Sequence, residues 1–430
     1  MAWLASDLFD YTEAAILRNA EAGRKCRSLS ELGQSLHFFS LAERAAAGQA
    51  VGDHRQPGIA KKGFVRVAAA GSVCQRIEIA TAADDIGGVR NRSASDSRPL
   101  LTEPLAVQTY KLAIYPGDGI GVEVMEQALR VLDALEQTGA FATQRLHLDW
   151  GLARWERTGE LVPPDMLDIL RGQDAILLGA VGWPAKVADH LTLAPLVTIR
   201  QRFDQYACVR PVKLFRGVKS VLADKGPEQI DFVVLRENSE GEYVDSGSRF
   251  HVGQPDEVAL QTGIHSRRGI ERILRFGFQM AQQRRRRLTM VTKSNAMRYG
   301  YVLWDECFER VRAEYPDVES GKQHADAAAM NFVRCPEMFD VVVASNLFGD
   351  LLTDLGGIIG GGLGLAPSTN TNPEREYPSM FEPVHGSAPD IAGQGIANPI
   401  AELLSFAMLL RYSFDMAEDA DLIEKAIDNV

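Results

Sequence analysis

Two aspartates four residues apart follow a continuous apolar run late in the chain. The segment 339–354 reads FDVVVASNLFGDLLTD and contains Asp350 and Asp354. If a helical turn follows the apolar strand, positions i and i+4 share one face, so both carboxylates can reach a single hard divalent cation. The same acids could instead mark a solvated helix N-terminus, where the helix dipole favours negative charge without any metal. The pair is therefore a candidate metal site with a structural alternative.

Further polar side chains accompany other strand-like segments. Asp326 precedes an apolar helical stretch in HADAAAMNFV, and RENSEGEY places Arg236 and Tyr243 after the strand-like DFVVL. Polar groups at the strand ends of an open α/β sheet commonly meet in one crevice. We therefore expect these residues to share one cleft with the two aspartates.

The elements that must position these side chains begin near Tyr110. From there, strand-like runs alternate with turns and helical segments, as in KLAIYPG, DAILLGAVG, DFVVLREN, LTMVTKSN and FDVVVASN. This alternation predicts an α/β fold with a mostly parallel sheet flanked by helices.

Residues 1–109 differ, because Ala-rich helical pieces lead into the polar GGVRNRSASDSRPLLTEP. They predict a partly disordered N-terminal extension without chemistry of its own.

Composition narrows the classes of function. With 430 residues, 46% of them hydrophobic, the chain can bury a sizeable core and most simply holds two domains besides the extension. A net charge of −11 argues against a nucleic-acid partner. The four arginines at 284–287 lack interleaved aromatic residues, which favours a solvated helix end over a nucleic-acid patch. No apolar run is long enough to span a membrane. With nucleic acid and membrane both disfavoured as partners, we expect a small-molecule substrate.

Cysteine usage bears on the compartment. The five cysteines show no CxxC spacing, so neither a zinc site nor a disulfide framework is indicated. This favours a reducing compartment and predicts a cytoplasmic protein. An organellar location stays open, because basic residues follow soon after the N-terminus.

Two glycine-rich segments each have two interpretations. PGDGIG at 116–121 lacks the full GxGxxG spacing, so a tight strand-to-helix turn is favoured over a dinucleotide fingerprint. GGIIGGGLGLAPS at 356–368 could let backbone approach a cofactor, or could build a loop that needs positive φ.

Six motifs in a fixed order carry a family resemblance. They are PGDGIG, IRQRFDQYACVRP, RENSEGEY, TKSNAM, NLFGDLLTDLGG and FEPVHGSAPDIAGQGIANP. Together they resemble the β-decarboxylating dehydrogenase family of isocitrate, isopropylmalate and tartrate or D-malate enzymes, from Tyr110 to about Asp415. VGWPAKVADH, SEGEY and LAPSTNTNPER are most similar to the tartrate and D-malate branch.

The resemblance implies a two-domain isopropylmalate-dehydrogenase-like fold that is not a Rossmann domain. The large cofactor-binding domain would comprise residues 110–206 plus 361–430, and the small domain 207–360 would carry substrate, metal and dimer-interface residues. The extension at 1–109 has no family counterpart. Family members are homodimers with shared active sites, so Lys293 and Asp326 would meet Asp350 and Asp354 of the partner subunit.

The resemblance also assigns chemical roles. Asp326, Asp350 and Asp354 would bind Mg²⁺ or Mn²⁺, which stabilises enolate charge during decarboxylation. The two substrate carboxylates need forked donors, provided by Arg200, Arg210 and Arg236. Lys293 would act as general base on the substrate hydroxyl, and Tyr243 would deliver a proton to the enolate carbon.

The cofactor is implied by the loop HGSAPDIAGQGIANP. Cofactor contacts are expected at His385, Gly386, Ser387, Ala388, Asp390 and Asn398. In the family, His385 and Asn398 would contact adenine, and Asp390 would accept hydrogen bonds from the ribose hydroxyls. Asp390 followed by Ile391 would repel a 2′-phosphate, which favours NAD over NADP. A monovalent cation is an additional cofactor that the resemblance allows.

Substrate choice is expected in TLAPLVTIR. Ala194 stands where the isocitrate enzymes carry a serine for the third carboxylate, which disfavours isocitrate. Leu196 and Val197 are apolar, which leaves 3-isopropylmalate open, whereas the GWP and DH elements favour tartrate or D-malate. Leu193 and Cys208 depart from the Trp and Asn usual in that branch. A non-catalytic regulatory paralogue is the further alternative, although such chains typically lose a metal acid or the base.

Overall fold

The computed structural model describes residues 107–430, so the partly disordered extension predicted for residues 1–109 lies almost wholly outside the described residues. The strands are β1 Gln108–Gly117, β2 Phe141–His147, β3 Ala175–Ala180, β4 Ala207–Lys213, β5 Asp231–Glu237, β6 Gly247–Phe250, β7 Val258–Gln261, β8 Arg287–Thr292, β9 Glu319–His324, β10 Val341–Ala344, β11 Pro367–Thr371 and β12 Ser379–Pro383. The helices are α1 Ile120–Glu136, α2 Leu152–Thr158, α3 Met166–Arg171, α4 Asp189–Thr192, α5 Ala194–Arg202, α6 Arg267–Gln283, α7 Gly300–Arg312, α8 Ala325–Arg334, α9 Asn346–Ile359, α10 Ile400–Tyr412 and α11 Ala417–Asp428.

Ten of these strands form one sheet in the order β2-β1-β3-β12-β11-β4-β5-β10-β8-β9. The pairings are parallel at both ends of the sheet, and they are antiparallel between β12 and β11, β11 and β4, and β4 and β5. The predicted mostly parallel sheet flanked by helices is therefore confirmed. Because three reversals separate β12 from β5, the two parallel halves run in opposite directions. Strands β6 and β7 form a separate two-stranded ribbon.

The two faces of the sheet are covered differently. Successive side chains of a strand point to opposite faces. Leu112 of β1 and Val233 of β5 belong to one core cluster that extends along the sheet beneath α1, α6, α7, α10 and α11. On the opposite face, Ala113 belongs to a cluster over β1 and β3, whereas Val234 belongs to a different one under α8 and α9. The central strands lie between these two clusters.

The division into a large and a small domain at residues 206/207 and 360/361 stays a prediction. These positions coincide with the start of β4 and the end of α9. Among the described residues, no helix is both long and apolar enough to cross a lipid bilayer.

The two glycine-rich segments have structural explanations. In the first, β1 ends at Gly117 and α1 begins at Ile120, which confirms a tight strand-to-helix turn. In the second, Gly356 and Gly357 belong to α9, and a Cβ on Gly356 would lie 2.6 Å from Val212 Cγ2. Gly361 and Gly362 follow with φ of +113° and +124°. Close packing and positive φ therefore account for the second segment.

The first turn also supports the loop 384–399 that follows β12. The Ile120 amide donates a hydrogen bond of 2.9 Å to the Ser387 carbonyl. Gly119 has φ +57°, and a Cβ there would lie 2.0 Å from the same carbonyl oxygen. Only glycine allows this backbone-to-backbone approach.

We expect Gly119→Ala to reduce the free energy of unfolding by about 2 kcal/mol or more, because it adds a collision to an unfavourable φ. Gly139→Ala is the matched control, since Gly139 has φ +77° but no atom within 4 Å of an added Cβ. It should cost only about 1 kcal/mol. Urea unfolding measures both, and equal losses would show that the contact with Ser387 is unimportant.

Candidate active site

A cleft of about 1090 Å³ lies over the central strands. Its lining includes the three predicted carboxylate-binding arginines together with Tyr243, Asp350, Glu382, His385 and Gly386. Arg236, Tyr243 and Asp350 therefore lie together as expected, whereas Asp326 and Asp354 do not line this cleft, and the cleft is not at one edge of a parallel sheet. Cys208 and Arg210 of β4 are two residues apart, as are Ser368 and Asn370 of β11. All four side chains therefore lie on one face of the sheet, in the gap between the two core clusters.

Asp350 is the centre of the polar cluster. It lies on α9, and Asp354 follows one turn later, as the spacing predicts. Asp350 Oδ1 accepts hydrogen bonds from Arg236 Nη1 and, at 3.4 Å, from Arg210 Nη1. Both arginines are buried, with exposed fractions of 3% and 7%. Each also has a neutral partner, because Arg236 Nε donates to Asn346 Oδ1 at 2.8 Å and Arg210 Nη1 to Thr353 Oγ1 at 2.5 Å.

The pKa values of the two aspartates are shifted in opposite directions. Burial opposes ionisation of Asp350, but the charges of Arg236 and Arg210 and the hydrogen bond from Tyr243 outweigh it, so the pKa of Asp350 lies below its usual value. Burial and the nearby charge of Asp350 raise the pKa of Asp354. A cation between the two carboxylates would relieve this repulsion.

Tyr243 points into the same cluster. Its hydroxyl donates a hydrogen bond of 2.8 Å to Asp350 Oδ2. Its ring lies 5.2 Å from the guanidinium carbon of Arg236. Burial, together with the charge of Asp350, raises the pKa of Tyr243 to about 12. The phenol therefore carries its proton at neutral pH.

Arg200 stands in a second ion pair. It lies on α5, and its Nη2 donates to Glu382 Oε1 at 2.5 Å. Asn370 Nδ2 donates to the same oxygen at 2.6 Å. The Nε of Arg200 is buried and has no hydrogen-bond partner in the described chain. Arg200, which lines the cleft, therefore retains an unsatisfied N–H group.

Lys293 and Asp326 form a separate pair. Lys293 follows the end of β8, Asp326 lies in the first turn of α8, and their Nζ and Oδ1 atoms are 2.8 Å apart. The Lys293 hydrogen bond lowers the pKa of Asp326. Among residues 107–430, no group of three or more His, Cys, Asp or Glu side chains is placed to hold a metal ion. One chain therefore does not bring Asp326 together with Asp350 and Asp354.

The predicted cofactor residues lie in the loop 384–399. His385 Nδ1 contacts the Gly386 carbonyl at 2.9 Å, and burial lowers the pKa of His385, so a neutral ring is favoured. Its Nε2 has no partner in the described chain. Ser387 is buried and donates to the Gly182 carbonyl at 2.5 Å, and Ala388 adopts φ +37°. Asp390 and Asn398 are exposed.

The wall beside Arg200 is formed by α4 and α5. Leu193, Ala194, Leu196 and Val197 line the cleft there together with His190. Ala194 contributes no hydroxyl group. The apolar wall and the absence of a side-chain donor at this position agree with the expectation that a third carboxylate is not bound here.

The sequence did not identify several residues of this cluster. Glu382 was inside the quoted motif FEPVHG, and a lone acid at the end of an apolar strand was the signal that could have marked it. Thr353 and Ser368 gave no signal, since short hydroxyl residues in helices and strands are ordinary. Ser368 Oγ accepts from Arg210 Nε at 3.2 Å and lies 3.6 Å from Cys208 Sγ.

Helix α10 carries one more acid that the sequence left unnoticed. Glu402 is fully buried, and neither of its carboxyl oxygens has a hydrogen-bond partner in the described chain. Burial, and to a smaller extent the charge of Glu382, raises the pKa of Glu402 well above its usual value. Burial therefore favours the neutral form of this carboxyl group in the folded protein.

Comparisons with known proteins agree on one family. The model of the family described as isocitrate/isopropylmalate dehydrogenase matches residues 111–430. Over 309 residues the chain is 48% identical to D-malate dehydrogenase (decarboxylating) of Escherichia coli K12, which covers 71% of this chain and 86% of that protein. The same identity and coverage are found with a probable tartrate dehydrogenase/decarboxylase of Agrobacterium vitis. Among solved structures, isocitrate dehydrogenase from Methylococcus capsulatus matches with a TM-score of 0.67 and 34% identity, covering 74% of this chain and 90% of that one.

We expect Glu402→Gln to remove a pH-dependent loss of stability. A carboxyl whose pKa is raised by folding contributes stability that is present below the unfolded pKa and is lost as pH rises towards the folded pKa. The stability difference in favour of the variant should therefore grow with pH, by up to about 1.4 kcal/mol per pH unit. Urea unfolding between about pH 5.5 and 8 measures it, with Glu126→Gln on the exposed face of α1 as control. A difference that stays constant with pH would contradict the assignment.

Proposed function

Because the chain belongs to the isocitrate/isopropylmalate dehydrogenase family and is an oxidoreductase acting on CH–OH groups, we propose that it oxidises and decarboxylates a small 2-hydroxy diacid, tartrate or D-malate, with NAD. One observation carries the proposal. Arg200, Arg210 and Arg236 line one cleft with a protonated Tyr243. This places forked donors for carboxylates beside a proton donor.

The three arginines differ in the carboxylates that already pair with them. Arg210 and Arg236 share the charge of Asp350, and Arg200 is paired with Glu382. A dianionic substrate would compete with these internal carboxylates for the guanidinium groups. At the start of α5 the cleft wall is apolar, and Ala194 offers no side-chain donor to a third substrate carboxylate. The lining at this position therefore favours diacids over triacids.

Residues of this sequence can perform both proton transfers, with Lys293 supplied by a second copy of the chain. As general base, Lys293 takes the proton of the substrate hydroxyl as the C2–H bond is oxidised. When the bond between C3 and the departing carboxylate breaks, CO₂ leaves. The electron pair of this bond stays on the rest of the substrate, which becomes an enolate. Tyr243 then donates its hydroxyl proton to the enolate carbon. The balance is 2-hydroxy diacid plus NAD⁺ giving 2-keto acid, CO₂ and NADH.

The loop 384–399 is suited to the adenosine part of NAD, which supplies the hydride acceptor when bound. His385 presents an unpartnered Nε2 that can accept a hydrogen bond from an amino group. Asp390 is an exposed carboxylate, which can accept from ribose hydroxyls and repel a 2′-phosphate. We propose that Gly386, Ser387, Ala388 and Asn398 complete this site.

Asp350 and Asp354 suit part of a divalent cation site. Mg²⁺ or Mn²⁺ prefers carboxylate oxygens, and bound there it would stabilise negative charge on the substrate oxygen. The third proposed ligand, Asp326, is not near them in one chain. The three aspartates can therefore bind one cation only if Asp326 comes from another polypeptide chain. A monovalent cation is a further possibility without a defined position in the described residues.

A second copy of the chain is the source we propose. Met330 on α8 and Leu351 on α9 are 65% and 60% exposed, and Val333 and Ile358 are exposed on the same helices. Asp326, Met330 and Val333 follow helical spacing, so Asp326 lies at the end of this apolar stripe. Packing the two-helix surface against its copy would bury it and bring Lys293 and Asp326 to the partner's carboxylates. We propose that this homodimer acts in the cytoplasm.

3-Isopropylmalate is a second candidate substrate, because Leu193, Leu196 and Val197 form an apolar wall that could accept an isopropyl group. A non-catalytic paralogue is disfavoured, since Lys293 and Tyr243 are present with all three aspartates. NADH formation from D-malate, tartrate, 3-isopropylmalate and isocitrate should separate these candidates. We expect turnover of D-malate or tartrate that is lost after removal of divalent ions and restored by Mn²⁺. Faster turnover of 3-isopropylmalate would replace the first choice.

A shared site predicts complementation between inactive chains. Lys293→Met and Asp350→Asn should each abolish turnover alone. In a mixed dimer, one of the two sites receives both intact residues, so random mixing should restore about a quarter of wild-type activity. Asp354→Asn replaces Asp350→Asn if loss of the arginines' counter-ion unfolds the chain. No recovery in dimers proven to be mixed would place each site within one chain.

A further inference from the structure

Glu242, the residue before Tyr243, is a largely buried acid in the loop that carries this tyrosine. Glu242 is buried except for about a sixth of its side chain, with an exposed fraction of 17%. Its Oε1 accepts a hydrogen bond of 2.9 Å from the Tyr301 hydroxyl on α7. The same hydroxyl lies 2.8 Å from Ser345 Oγ, just before α9. Glu242 therefore connects the Tyr243 loop to α7, and Tyr301 in turn contacts the residue before α9.

The ring of His265 also faces the Glu242 carboxylate. Trp304 Nε1 donates a hydrogen bond of 3.2 Å to His265 Nδ1, so the remaining ring proton must be on Nε2. That atom lies 3.7 Å from Glu242 Oε1. Burial opposes ionisation of Glu242, but the interactions with His265 and Tyr301 outweigh it, and the pKa of Glu242 lies below its usual value. The carboxylate is charged.

Backbone contacts hold the same loop on both sides of Glu242. Asn346 Nδ2, in the first turn of α9, donates to the Glu240 carbonyl at 2.7 Å. Gln261 Nε2 lies within hydrogen-bond distance of the carbonyls of Glu242 and Val244, at 3.1 and 3.0 Å. These contacts hold the backbone of the loop, and the Glu242 side chain adds a contact to α7.

We propose that Glu242 is a positioning residue for proton delivery by Tyr243. The hydrogen bond from Tyr301 and the electrostatic contact with the His265 ring hold Glu242 in the protein interior, so its neighbour Tyr243 is turned into the cleft towards Asp350. The inference rests on the proposed function, in which Tyr243 donates the proton to the enolate carbon. A charged acceptor is needed because charge-assisted hydrogen bonds are stronger than those of a neutral amide.

Glu242→Gln keeps the size of the side chain and removes its charge. With the best diacid of the substrate panel, we expect kcat to fall by about 10- to 100-fold, as misplacement of a reacting group does. KM for the diacid should change little, because the arginines are untouched. Tyr301→Phe removes one donor and should show a smaller effect of the same kind. Glu306→Gln, an exposed acid on α7, is the control and should behave as wild type.

The combination with Tyr243→Phe separates positioning from general stability. If Glu242 acts through Tyr243, adding Glu242→Gln to Tyr243→Phe should change kcat by less than about twofold. The single variant should also show a larger solvent deuterium isotope effect on kcat, because proton transfer becomes slower. Independent effects of the two substitutions, an unchanged isotope effect, or an unchanged kcat in Glu242→Gln would each overturn the proposal.

Hydrogen exchange gives a readout that does not depend on turnover. Glu242→Gln and Tyr301→Phe should both raise amide exchange in residues 239–246 before other segments of the chain. If wild-type protein oxidised no 2-hydroxy diacid, the proposed function would fail, yet the exchange experiment would still decide whether Glu242 holds the loop. Unchanged exchange there would show that it does not.

Discussion

The cleft depends on the burial of two guanidinium groups against one carboxylate. Arg210 and Arg236 are almost completely enclosed, and an unpaired buried charge would cost several kcal/mol or more. Asp350 is the shared counter-ion of both and offsets part of their charge, and Tyr243 donates to its second oxygen. Because this carboxylate is on α9, the position of that helix relative to β4 and β5 is fixed by the same interactions that prepare the site.

The division of the apolar core leaves room for so polar a cluster inside the fold. One face of the sheet carries a continuous apolar core, which stabilises the whole described unit. The other face has two separate clusters, and the polar residues occupy the central strands between them. The cleft is therefore a gap in the second layer of the core, and the ion pairs lining it replace the apolar contacts that a helix would have made there.

Much of this arrangement could be predicted from local sequence. The i,i+4 spacing of Asp350 and Asp354 predicted a shared helix face, and apolar runs predicted the strands that end at Arg236 and Lys293. The partners could not be predicted in this way. Arg200 meets Glu382, and Glu242 meets Tyr301, across long separations in the chain. Such pairs depend on which strands are neighbours and on how the loops are turned, which periodicity does not encode.

By itself, the sequence determined the alternation of strands and helices, the tight turn at Gly119 and the set of side chains able to do chemistry, because backbone period, φ preference and ionisable group type are properties of short segments. The tertiary structure decided that Asp350 is shared by Arg210, Arg236 and Tyr243 while Asp326 pairs with Lys293 elsewhere. For the two buried arginines it did so because burial leaves each charge to whichever opposite charge the packed strands and helices place within a few ångströms, whereas Asp326, with a side chain 67% exposed, meets Lys293 near the surface.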